Sequence, residues 1–175
     1  MTLGTRGVRW PLALLACSLL ALGSAAIAAS PPRLVYNASD SVPIGWYRIS
    51  PADSLAPGDL VLVGLPPEAR SLAAQRGYLP TNVPLLKTVA AMAPQRVCIL
   101  GNQVRIDGVV VARRLKWDLQ GRALPSRQTC RRLVGDELFL LSSKNPASFD
   151  SRYFGPISAD AVIGRAQPLW LESRR

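Results

Sequence analysis

The chain has 175 residues, 49% of them hydrophobic, a net charge of +10 and no histidine. The missing imidazole excludes a Ser-His-Asp triad and, with only 3 cysteines, leaves no donor set for zinc, so no metal or other cofactor is expected. The 13 glycines and 15 prolines are spread along the chain, which favours many short strands and turns over a helical bundle.

Residues 10–29, WPLALLACSLLALGSAAIAA, carry no charge and follow Arg6 and Arg9. A run of that length reaches across a hydrocarbon core of about 30 Å as a helix, and its basic flank points the N-terminus to the cytoplasm. The expected organisation is a cytoplasmic tail over 1–9, a transmembrane anchor over 10–29 and an exported domain over 30–175. That makes a single-pass protein of the inner membrane, in contact with its lipids, with the main domain in the periplasm. Ala26-Ile27-Ala28 also has the small-x-small form of a signal-peptide cleavage site, so cleavage is the alternative.

RLVYN (33–37) and GWYRI (45–49) read as short strands around a loop, NASDSVPIGWY (37–47). LAPGDLVLVGL (55–65) is a turn and an apolar strand, and PPEARSLAAQRGYL (66–79) is a helix with proline at its start and Gly77 near its end. VPLLKTVAAM (83–92) is an apolar strand with one embedded lysine. RVCILGNQVRIDGVVVARRL then alternates strands with GN and DG turns, a β-meander. RALPSRQTC (122–130) reads as a loop, GDELFLLSS (135–143) as a strand, KNPASFDSRYFGP as a polar loop and AVIGRAQPLWL as a final strand. The composite is a mainly β domain with one short helix after the anchor.

In an oxidising compartment Cys98 and Cys130 are expected to pair as a disulfide, with two buried free thiols as the alternative. ARRLKW (112–117) and CRRLVG (130–135) are basic, but no aromatic-interleaved stripe or DNA-reading motif accompanies them. A solvated face, or attraction to anionic headgroups, accounts for them, and no nucleic-acid partner is expected.

A serine hydroxyl needs a neighbouring base, and without imidazole a neutral lysine is the replacement. Burial in apolar surroundings supplies one by lowering the amine's pKa. Lys87 sits among Leu85, Leu86, Thr88, Val89 and Ala90 and is the only charge between Arg76 and Arg96. Lys116 lies among arginines and Lys144 in a polar run, so neither fits as well. A strand lysine at a sheet edge is the plain alternative for Lys87. Ser41 is the candidate nucleophile, and Ser39 is placed to donate, with the Ser41 N–H, to a developing oxyanion. The plain alternative for Ser39 is a loop hydroxyl bonded to its own backbone.

NASDSVPIGWY, PGDLVLV (57–63), LLKTVAAMAPQRV (85–97), VRIDGVVV (104–111) and SFDSRYFGPI (148–157) occur in that order. Together they resemble the type I signal peptidases, closest to their conjugative-transfer (TraF-type) branch. The resemblance implies a signal-peptidase-like complex of antiparallel β-sheets. It also implies a serine endopeptidase with Ser41 as nucleophile, Lys87 as general base and Ser39 as oxyanion donor. Ser148 would hold the lysine amine, and Asp150 and Arg152 would form a supporting ion pair; some of the branch is thought to use the aspartate more directly. The implied substrate is an exported precursor with small residues near the cleavage site, in this branch a pilin precursor that an internal amine can close into a ring. A housekeeping-type signal peptidase, or a non-catalytic envelope component that keeps the fold, is the alternative function.

Overall fold

The computed structural model describes residues 9–27, 33–142 and 144–172. Contacts divide the chain into two units, 1–31 and 32–175. Among the described residues of the first, a single helix, α1, runs over Arg9–Ile27. Its 19 residues rise about 28 Å at ~1.5 Å each, just short of the roughly 30 Å of a hydrocarbon core. Among the described residues no helix is long and apolar enough to cross a membrane. The transmembrane anchor expected over 10–29 is corrected to this shorter helix; residues 1–8 of the tail, and residues 28 and 29 with the last alanine of the small-x-small site, lie outside the described residues.

The second unit holds two antiparallel sheets. Eleven strands supply them: β1 Leu34–Asn37, β2 Gly45–Ser50, β3 Leu60–Val63, β4 Leu85–Met92, β5 Arg96–Leu100, β6 Gln103–Ile106, β7 Val109–Arg113, β8 Thr129–Arg132, β9 Glu137–Leu141, β10 Ile157–Ser158 and β11 Val162–Leu171. The larger sheet has the order β1-β2-β11-β3-β4-β9-β10 and the smaller β7-β6-β5-β8. The GN and DG dipeptides turn the two hairpins of the smaller sheet as expected. The final strand β11 crosses back between β2 and β3, so chain order and strand order part company in the sheet that carries Ser41 and Lys87.

Two departures from the expected elements follow from short-range chemistry. Residues 122–130 are not all loop, because Thr129–Arg132 pair with Ile99–Arg96 as β8. This polar edge strand has no alternating apolar pattern to betray it. A helix beyond the one expected, α3, forms over Ser151–Phe154. The Asp150 carboxylate accepts the Arg152 N–H and caps its first turn. The helix that was expected, α2, spans Pro67–Gln75 with proline in its first turn and buries Ala69 and Ala73.

The middle strands of the larger sheet, β3, β4 and β9, are largely buried on both faces. Val61, Val63, Val89, Leu138, Leu140 and Ile157 form one cluster, and Val42, Tyr47, Ile49, Leu62, Leu86 and Ala166 form another. The smaller sheet packs Val97, Ile99, Val104 and Ile106 against Ala91, Phe139 and Leu141 from β4 and β9, so the two sheets share one core. Cys98 and Cys130 stand opposite one another on β5 and β8 and are joined as a disulfide. Gly45 opens β2 with φ +144°, and a Cβ there would lie 2.2 Å from the Trp170 carbonyl oxygen of β11. Only glycine lets the strand that follows the serine loop close onto β11.

Candidate active site

Lys87 enters the core because β4 is a central strand. It is register partner to Val61 on β3 and follows Leu85 on the same face. β9 covers the other flank of β4, so the edge-strand alternative does not describe this lysine. The side chain is 2% exposed. Burial lowers its pKa from 10.5 to about 8, with the Asp150 carboxylate pulling it up and the Arg152 guanidinium pushing it down. Its ammonium donates to the Ser148 hydroxyl at 2.6 Å.

Ser41 lies in the loop between β1 and β2 and is also buried. Asn37, the last residue of β1, organises that loop. Its side-chain amide donates to the carbonyls of Ser39, Val42 and Pro43 at 2.8, 3.0 and 3.1 Å. Three carbonyl acceptors around one atom identify it as the nitrogen, and the amide oxygen accepts from the Ser39 N–H and hydroxyl. The Tyr47 hydroxyl donates to the Pro43 carbonyl at 2.6 Å, and the Ser142 hydroxyl donates to the Ser41 carbonyl at 2.6 Å. These bonds give the Pro-x-Gly-x-Tyr spacing a physical meaning: proline and glycine shape the loop and the tyrosine ties it down.

The Ser41 and Ser39 hydroxyls are 3.0 Å apart. Ser39 already donates to Asn37, so the proton between the two serines belongs to Ser41. Ser39, Ser41, Lys87 and Ser148 all line one cavity of about 290 Å³. The lysine's hydrogen bond goes to Ser148 and the Ser41 hydroxyl's to Ser39; among the described residues no hydrogen bond joins Lys87 to Ser41 directly.

Asp150 and Arg152 are buried, at 0% and 2% exposed, and form an ion pair with the Arg152 Nε 2.7 Å from the carboxylate. Neither lines the cavity among the described residues. Arg152 reaches around the segment that carries Ser148 and donates to the carbonyls of Pro146 and Ser148 at 2.8 and 3.0 Å. Asp150 accepts the Ser142 N–H at 2.9 Å. The pair therefore stitches both ends of the 142–150 loop and sets the Ser148 hydroxyl against Lys87. Sequence reasoning quoted Asn37 but gave it no role, and it passed over Ser142. A polar residue beside a strand end carries no periodic signal, and its use depends on a partner far along the chain.

The buried amine has a thermodynamic cost with a definite pH dependence. Between about pH 8 and 10.5 the unfolded chain holds a proton that the folded state has released, so stability rises with pH in that window. Below it both states are protonated and the folded state carries the whole penalty, about 3 kcal/mol for a shift of this size. Lys87→Met is therefore expected to stabilise the protein by that order at pH 7, with the advantage fading toward pH 10.5. Urea denaturation of both proteins at the two pH values measures it; an advantage independent of pH would remove the depressed amine from the account.

The family described as signal peptidase, peptidase S26, matches residues 8–171. A probable conjugal transfer protein TraF of Sinorhizobium fredii is 36% identical over 142 residues, covering 76% of this chain and 74% of its own. A plasmid transfer protein TraF of Escherichia coli is 32% identical over 144 residues, covering 76% of this chain and 80% of its own. Among solved structures, a signal peptidase I from Enterococcus faecalis is similar at a TM-score of 0.39 and 15% identity, covering 65% of this chain and 97% of that one.

Proposed function

Since the chain belongs to the signal peptidase S26 family and has TraF conjugal transfer homologues, we propose that it is a Ser-Lys endopeptidase that trims an exported precursor, in this branch a conjugative pilin precursor. The observation that carries the reading is a water-starved lysine and a buried serine lining one cavity.

In the proposed reaction the Ser41 hydroxyl turns from Ser39 toward Lys87. The neutral amine takes its proton as Oγ bonds to the scissile carbonyl carbon. Ser39, released from Asn37, and the Ser41 N–H donate to the oxyanion. The protonated Lys87 passes its proton to the leaving amine as the C–N bond breaks, leaving an acyl-enzyme at Ser41. Water then hydrolyses the ester, or an amine of the same chain attacks it and closes the product into a ring. Ser148 fixes the direction of the lysine amine throughout, and the Asp150–Arg152 pair positions Ser148.

The proposed location is the periplasmic face of the inner membrane, where emerging precursors meet the enzyme. The Cys98–Cys130 bond supports it, since such bonds persist in oxidising compartments. The test is mass spectrometry of a purified pilin precursor incubated with the full-length protein in detergent. A product shortened at one peptide bond, or shortened and lighter by one water for a ring, is expected. An intact precursor under conditions where the protein is folded would overturn the reading.

A further inference from the structure

The cavity that holds Ser41 and Lys87 has a second wall that the reaction does not use. It is built from the segment after α2 and from a small hairpin whose stem is the Trp117–Ala123 bridge. At the hairpin tip, Asp118 accepts hydrogen bonds from the N–H groups of Gln120 and Arg122 at 2.9 and 2.8 Å and from the Arg122 Nε at 2.7 Å. Gly121 closes the turn with φ +74° and an N–H bond to the Asp118 carbonyl. The tip is latched to the segment after α2: the Tyr78 hydroxyl donates to Asp118 at 2.5 Å, and Arg122 donates to the Arg76 carbonyl at 3.0 Å.

Asp118 and Arg122 are thus engaged with each other and with the segment after α2. What the tip holds out instead is Leu119, 91% exposed, the most exposed large hydrophobic side chain among the described residues, and itself part of the cavity lining. A lone exposed leucine on a floppy loop needs no explanation. One carried on a turn fixed by this many bonds is different, because its backbone entropy has been given up before anything binds. The cavity behind it is apolar at Leu65, Ala73, Leu79, Leu85 and Leu124.

We propose that Leu119 is a preformed substrate contact: the precursor segment that fills this cavity packs an apolar side chain against it, and the latched tip selects for that side chain. The inference rests on the peptidase reading for the identity of the occupant and adds a specificity residue on the rim. Leu119 acts on binding rather than on chemistry, so Leu119→Ser raises KM and leaves kcat close to wild type.

The experiment separates the two claims. Binding is measured calorimetrically with the full-length Ser41→Ala protein, which cannot turn over, using alanine-serine peptides in which a single leucine is walked along the chain. One leucine position is expected to improve affinity about tenfold, the order that burying part of a leucine side chain supplies. In the Ser41→Ala/Leu119→Ser protein the same leucine should improve affinity less than about twofold, the coupling that direct contact produces. Unchanged circular dichroism and Tm confirm that this exposed replacement leaves the fold intact. No gain from leucine at any position, or an equal gain in both proteins, overturns the proposal. Peptides that show the coupling but are never cleaved by the wild-type protein support the Leu119 contact and overturn the peptidase reading instead.

Discussion

Ser41→Ala is expected to lower precursor processing on the order of 10⁴-fold or more, and Lys87→Ala by about 10²- to 10⁴-fold. The serine loss is larger because it removes the atom that carries the acyl group, whereas a lysine variant keeps the nucleophile and loses only its base. Lys87→Met is the more telling replacement. It preserves the volume of a side chain that is 2% exposed, so the fold is retained while the amine disappears. In the wild-type protein kcat/KM should climb with pH and reach half its plateau near pH 8, where the buried amine gives up its proton. A rise is the required sign, since only the neutral amine accepts the serine proton. Single-turnover rates from pH 6 to pH 10, limits set by the ordinary range of lysine titration, measure the limb. A flat profile, or an unaltered one in Lys87→Met, would take the lysine out of the reaction.

Asp150→Ala is expected to destabilise the protein by about 3–5 kcal/mol, because it strands a buried guanidinium. For a chain of this size that corresponds to a fall in Tm on the order of 10 °C. Arg152 would keep its bonds to the carbonyls of Arg113, Pro146, Asn145 and Ser148, which favours the lower end of the range. The variant also loses the cap of α3 and the acceptor for the Ser142 N–H. Asp150→Asn, which keeps a side-chain acceptor, separates stability from chemistry. The Asp150 carboxylate raises the Lys87 pKa, so removing its charge should move the half-plateau of the pH profile below about 8 while processing persists. Complete loss of processing by a folded Asp150→Asn protein would instead give the aspartate a direct part in proton transfer.

Much of the candidate site was legible in the sequence, and the reason is visible at Lys87. A single charge in an apolar strand is a local anomaly that composition alone exposes. That the strand is central rather than an edge could not be read, because it depends on β9, from well along the chain, pairing against its free side. Asp150 and Arg152 show the same limit. Two opposite charges two residues apart are commonplace on a surface, and only resemblance singled them out; their burial comes from β9 and the 142–150 loop. The meander was legible because GN and DG turns act over four residues, whereas β8 was not, since Thr-Cys-Arg-Arg has no inward apolar face. Asp118 and Tyr78 were invisible as partners, 40 residues apart and each ordinary in its own neighbourhood.

The bond between Cys98 and Cys130 brackets a stretch of chain, 32 residues apart at its ends, that includes the hairpin bearing Leu119. A closure of that length removes on the order of 4 kcal/mol of freedom from the unfolded chain. A copy with both thiols reduced would lack that clasp and would unfold more readily by about that amount, the rim hairpin and the smaller sheet going with the rest of the domain.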